Sequence, residues 1–201
     1  IQIIKGTGTV INGYDALTGQ INVEYTKNSS KLFWNSYINS ETKFENNLIL
    51  SNQKDKWRNN LFLHYTLFDR EMDHNNDNFM DMPKMNNIHI HNNLEYNSDK
   101  YYFLFSGRFM DEERKGGTLS GNSDFNVNID NLIFDFETKI GLIQPKSPGK
   151  SIALNTSILN HTQGCILGNN LYDATQESFY LNLIRKTYIL NLINILNYGF
   201  S

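Results

Sequence analysis

The sequence predicts an all-β fold: an open, curved antiparallel sheet of about eight strands, part of a transmembrane β-barrel. Three observations predict it. Apolar and polar residues alternate with period two along most of the 201 residues. The alternating runs are about 9–12 residues long, against about 5–6 for ordinary globular strands and about 9–11 for a tilted strand that crosses a bilayer. The connections between runs alternate between short and long, as the two rims of an outer-membrane barrel do.

The runs are clearest in the middle of the chain. In 87–96, Ile88, Ile90, Leu94 and Tyr96 share a face with Asn92, and His89, His91, Asn93 and Glu95 share the other. In 131–142, Leu132, Phe134, Phe136, Ile140 and Leu142 oppose Asp135, Glu137 and Lys139. Tyr101, Phe103, Phe105 and Phe109 alternate with Ser106 and Arg108, and Leu61, Leu63, Tyr65 and Leu67 alternate with Asn60, His64 and Thr66. Weaker alternation marks 32–39, 44–52, 151–161 and 177–186. Short turns are expected at 52–56, 97–100 and 144–150. Long loops are expected near 69–86, 111–130 and 162–176. Aromatic residues near strand ends (Tyr96, Tyr101, Phe109, Phe179) suit interfacial girdles.

Composition excludes several alternatives. A net charge of −3 without a basic cluster implies no nucleic-acid partner. One cysteine, Cys165, excludes an internal disulfide framework. No apolar run is long enough for a transmembrane helix. The abundance of Asn suits turns and strand edges rather than helix interiors. The sequence opens and closes inside apolar stretches, so it is expected to be an internal piece of a longer protein.

The first 25 residues, IQIIKGTGTVINGYDALTGQINVEY, hold the glycines. Gly8 and Gly13 have P-loop spacing, but Tyr14 and Asp15 stand where Lys and Ser/Thr must be. A dinucleotide fingerprint needs a helix after the glycines, and here Ile21, Val23 and Tyr25 alternate as a strand. Gly6, Gly8, Gly13 and Gly19 therefore read as structural, serving tight turns and close backbone approach.

This stretch resembles the end of the plug domain of TonB-dependent outer-membrane receptors, and 72–96, MDHNNDNFMDMPKMNNIHIHNNLEY, resembles a loop and strand of such receptors of the Bacteroidetes type. The match runs through Lys5-Gly6-Thr7-Gly8-Thr9-Val10, then Gly13, Ala16, Gly19, Ile21, Asn22 and Val23. Thr18-Gly19-Gln20 departs from the paired glycines common in that region of the family. The resemblance implies the end of a plug over 1–27, a linker at 28–31 and the first barrel strands over 32–188, with 189–201 unassigned. It further implies an outer-membrane location and uptake of a scarce nutrient chelate (ferric siderophore, haem or cobalamin). Partners would be membrane lipid and the TonB energy-transducing complex, whose contact segment is not among these residues. No cofactor is required.

Three groups of polar residues were weighed for chemistry. Asp73, Asn75, Asp77 and Asp81 have the oxygen-ligand spacing of a calcium loop, with Asn78 at the glycine position and Lys84 where the bidentate Glu belongs. The competing reading is a solvated acidic loop. His89, His91, Glu95 and Arg108 fall on the polar faces of their strands and are candidate ligand contacts in a barrel lumen; as a metal pair the two histidines are a weaker reading. The run 111–117, DEERKGG, reads as a solvated loop. No Ser/His/Asp set, HExxH or Cys cluster is present, so no enzyme is expected.

Periodicity alone leaves one rival open. A soluble β-sandwich binding module, such as a calcium-assisted adhesin or carbohydrate binder, would bury the same apolar stripes between two sheets. A self-contained eight-strand barrel is a third reading, and it leaves the plug-like opening unexplained.

Overall fold

In a computed structural model the described residues are 2–6, 19–22, 31–120, 125–144, 147, 150–189 and 194–200. Among them there are only strands, turns and loops. Strands β1 (Gln2–Lys5) and β2 (Gly19–Asn22) form an antiparallel ribbon, with Gln2 opposite Asn22 and Lys5 opposite Gly19. The remaining strands are β3 (Leu32–Ile38), β4 (Phe44–Lys54), β5 (Trp57–Phe68), β6 (Lys84–Asn97), β7 (Tyr101–Gly117), β8 (Asn126–Ile143), β9 (Ser151–Leu167), β10 (Asn170–Ile189) and β11 (Asn194–Phe200). They make one open antiparallel meander in which every strand pairs with its neighbours in sequence.

The eight strands expected between 32 and 188 are thus present as β3–β10, and β11 adds a ninth from the unassigned end. The sandwich alternative required two sheets packed face to face; the described strands give this one sheet and the separate β1–β2 ribbon.

Two expected long loops are corrected. Residues 111–117 continue β7, and β8 begins at Asn126, so most of 111–130 is strand. Residues 162–176 are the tip of the β9–β10 hairpin, which turns at Gly168 and Asn169 with Leu167 opposite Asn170. In the sequence, loss of apolar alternation marks the expected end of a strand. Here both faces turn polar while the backbone ladder continues, because hydrogen bonding between strands needs no apolar side chain. Strands β7–β10 consequently run 17 to 20 residues. The loop 69–83 remains a loop, up to the start of β6 at Lys84.

Turn chemistry closes the short connections on both rims, the β3–β4 turn beside the long loop and the β4–β5 and β6–β7 turns opposite it. The Asn39 side chain accepts hydrogen bonds from Glu41 N–H (3.1 Å) and Lys43 N–H (2.9 Å), closing the β3–β4 turn. Asp55 takes a positive φ of 53° in the two-residue β4–β5 turn. Ser98 and Tyr101 exchange hydrogen bonds at the β6–β7 turn.

Burial in this sheet is inverted relative to a globular protein. The buried polar strand residues Asn60, Thr66, His91, Ser106, Glu112 and Asn182 all lie on the face that carries His89 and Arg108. The opposite face leaves Trp34 and Phe179 each 70% exposed, Ile158 53% and Phe134 51%. A sheet one layer thick can bury side chains on only one face if it curves toward that face. The only buried apolar side chains among the described residues are Phe68 and Met72, at the rim.

Candidate functional site

The polar face is organised in cross-strand rows. His64, His89, Met110, Ile133 and His161 form one row across β5–β9. Phe62, His91, Arg108 and Asp135 form the next. The registers therefore bring His89, His91 and Arg108 together. Glu95 lies further down β6 and meets Arg58 instead, at 3.6 Å.

The charges on this wall are compensated locally. Arg108 Nη2 donates to Asp135 Oδ2 at 2.9 Å. Arg114 Nε donates to Glu112 Oε1 at 2.6 Å, and Lys139 pairs with Glu137 at 2.9 Å. Glu112 Oε2 also accepts from Asn131 Nδ2 (3.2 Å), whose Oδ1 lies 3.2 Å from His161 Nε2. His64 is fixed through both ring nitrogens, by Asn47 Oδ1 (2.7 Å) and Thr66 Oγ1 (2.9 Å). The His91 ring sits against Phe62, with centroids 5.8 Å apart. Such a surface offers hydrogen bonds to a hydrated partner and little net charge.

Sequence reasoning missed three of these residues. His64 and His161 had shown no partner, because their partners stand on neighbouring strands. Glu112 had been placed in a loop, although it is in phase with Arg108 two turns of the pleat earlier. That phase was the available signal.

The second candidate group lies in loop 69–83. Asp73 Oδ1 and Oδ2 accept from Asp77 N–H (3.2 Å) and Asn78 N–H (2.9 Å). Asp77 Oδ1 accepts from Phe79 N–H at 2.8 Å, and its Oδ2 accepts from Asn75 Nδ2 at 2.9 Å. Asn76 and Asn78 adopt positive φ of 61° and 69°, a conformation Asn tolerates better than most residues. Asp81 is taken by His74, accepting from its N–H (2.8 Å) and contacting its Nδ1 (2.7 Å). These oxygens thus organise the loop with its own backbone. Among the described residues no three His, Cys, Asp or Glu side chains gather as a metal site.

Three groups of this loop have shifted protonation. The Asp81 carboxylate raises the His74 pKa above its usual 6.5, while the N–H and ring of His74 lower that of Asp81. Glu71 is pulled down to about 2 by the Ser120 hydroxyl first, then by Lys84 and the Ser120 N–H.

The plug-like glycines are only partly described. Gly6 has φ +91° and Gly19 φ +150°, and a Cβ on Gly19 would stand 3.0 Å from the Ile4 carbonyl oxygen. A side chain is excluded there by backbone conformation and close approach, in keeping with a structural role. Asn22 pairs with Gln2 in the ribbon. Gly8 and Gly13 lie outside the described residues.

Compared with protein-family models, with curated proteins and with solved structures, the chain matches none.

Proposed function

We propose that this chain is a section of the wall of an outer-membrane β-barrel and, from the resemblance of its first 25 residues, of a TonB-dependent receptor that imports a scarce nutrient chelate. The observation that carries the barrel reading is the shape of the exposed apolar band. On β3, β4 and β5 the band runs in register, from Leu32, Leu50 and Leu61 to Ile38, Phe44 and Leu67. The row through Leu67 continues across Asn86, Glu113, Asp130 and Gly164 to Asp173. All of these are polar or glycine. The upper edge of the continuous band has moved down to Ile88 on β6, Phe109 on β7, Ile158 on β9 and Phe179 on β10, with Leu132 on β8 and the Ile166–Leu171 pair at the β9–β10 tip as apolar residues above it.

The slip is about one residue per strand. With a rise of about 3.3 Å per residue and strands about 4.8 Å apart, it corresponds to strands inclined by about 35–40° to the band. Barrel strands incline by about 35–45° to the membrane normal. Measured along that normal, the runs Tyr101–Phe109 and Leu132–Leu142 give a band about 20–26 Å high, near the roughly 25 Å apolar belt of outer-membrane barrels. A planar bilayer accounts for a band that, from β5 to β10, is cut obliquely across the hydrogen-bond rows. A packed second sheet would have no reason to follow that line.

Two further features support the reading. Aromatic pairs sit at both edges of the band: Trp57–Tyr96 (4.9 Å) and Tyr101–Phe103 (6.1 Å) at one, Phe109–Phe134 (5.0 Å) and Phe44–Tyr65 (6.3 Å) at the other. Polar side chains within it are paired with each other, Asn92 with Asn59 (2.8 Å) and Thr138 with Thr156 (2.6 Å). Hydrocarbon offers no other partner.

A nitroxide scan along β8 in lipid tests the barrel reading. Oxygen should reach the labels at 132, 134, 136, 138, 140 and 142, and water-soluble nickel chelate those at 133, 135, 137 and 139. Equal access to both faces would overturn it. The receptor reading is tested by the coding sequence on either side of this one: a TonB box and the first half of a plug should lie upstream, and further alternating strands downstream.

A further inference from the structure

The loop 69–83 is more tightly built than a surface connection needs to be. Its return leg continues the β6–β7 ladder past the kink at Pro83. Phe79 bridges Thr118, Met80 N–H donates to Gly117 O (2.8 Å), and Leu119 N–H donates to Asn78 O (2.9 Å). Its base is closed by Asp81 N–H donating to Met72 O at 2.8 Å. One observation folds it inward at the rim: Phe68, in phase with His64 and Thr66, is 1% exposed and Met72 in the loop is 8% exposed, and these are the buried apolar side chains among the described residues.

The outgoing leg is fastened separately. Glu71 accepts from the Ser120 hydroxyl and from Ser120 N–H (3.0 Å), joining it to the segment that follows β7. Lys84 Nζ reaches the same carboxylate at 2.9 Å and Asp69 at 3.5 Å. Arg70 Nη1 also reaches Glu41 of the β3–β4 turn at 3.2 Å, and apart from Asp81–Met72 the leg 69–72 carries no backbone ladder of its own.

We propose that loop 69–83 is a latched lid over the long-loop end of the polar face, with Glu71 as the latch and Ser120 and Lys84 as its catch. The return leg is anchored by main-chain bonds and stays in place. The outgoing leg swings when the carboxylate lets go, and the Asp81–Met72 main-chain bond and the Arg70–Glu41 pair part with it. The inference stands on the geometry of this rim and does not depend on what the barrel transports.

The test is thiol labelling in detergent micelles, in a Cys165→Ala background, with a sulfonated maleimide as probe. Met72→Cys reports the underside of the lid and Thr66→Cys the polar face below it. Both should label slowly in the parent. Adding Glu71→Gln or Ser120→Ala should raise both rates, at least tenfold and threefold respectively, while Asp69→Asn, which touches only Lys84, leaves them near the parent. Ser120→Ala keeps the main chain unchanged and decides the matter if Glu71→Gln fails to fold. Unchanged rates in Ser120→Ala overturn the latch. A rise at Met72→Cys without one at Thr66→Cys overturns the lid, because the loop would then loosen without uncovering the wall.

Discussion

Thr138 and Thr156 face each other across β8 and β9 on the apolar side of the sheet, with hydroxyl oxygens 2.6 Å apart. Phe105 and Leu181 lie in the same row, on β7 and β10. Two hydroxyls surrounded by exposed apolar residues are best satisfied by each other when no water is present. Thr138→Val alone strands the Thr156 hydroxyl and should destabilise the micelle-embedded protein by about 1 kcal/mol. The double substitution with Thr156→Val should recover most of that. Denaturant unfolding of the two singles and the double measures the coupling, and simple additivity would contradict a dry environment.

Changes of charge at neighbouring positions of β8 should have very unequal effects. Phe136→Arg places a guanidinium in the middle of the band and should destabilise by about 2–4 kcal/mol in lipid. Glu137→Gln, one residue along on the polar face, removes only a part-exposed pairing with Lys139 and should change stability by under about 1 kcal/mol. Reversible unfolding from lipid vesicles makes the comparison.

Acidity should loosen loop 69–83 at two points, and a rise in pH at one of them. His74 has its pKa raised above 6.5, so its contribution is full below 6.5 and fades as pH rises through the raised value. Asp81 has its pKa lowered from 3.8, so its contribution is present above 3.8 and fades as pH falls through the lowered value. The pair is therefore strongest between about pH 4 and 6.5. Glu71 contributes above 4.5 and lets go only as pH falls through about 2, so Ser120 should stay fastened at about pH 3. Amide exchange at His74 and Ser120 across pH 2–8 checks each, and loss of protection at Ser120 by about pH 4 would contradict it.

Calcium should change little in this loop. A cation would have to displace the backbone N–H groups held by Asp73 and Asp77, and Lys84 stands where the strongest calcium ligand belongs. Millimolar Ca2+ is expected to leave exchange at Asp77, Asn78 and Phe79 unaltered. Asp73→Ala should speed it with or without the ion. Protection that rises with Ca2+ in the parent would restore the calcium reading.

In buffer without detergent the chain should associate rather than remain a monomer. Leu32–Ile38 is exposed along its whole length at one edge of the sheet, and the apolar face lies open beside it. Sedimentation with and without detergent tests this, and a sharp reversible melt of a monomer in buffer would refute it.

What the sequence determined by itself is everything governed by the period-two pleat. Which residues of β5–β8 share a face, that His89, His91 and Arg108 stand on the polar one, and that Phe134 and Phe136 stand on the other follow from parity within one strand. Short turns were legible from their Asn, Asp and Ser residues. Strand ends were not: Asp111–Lys115 and Thr162–Gln176 look like loops in one dimension, because what keeps them extended is the ladder to the strands on either side. Register belongs to the tertiary structure for the same reason. It alone seats Glu112 beside Asn131 and His161, gives Glu95 to Arg58, and lays Thr138 against Thr156. It also reveals the slant of the apolar band, since an offset between strands exists only once the strands are paired.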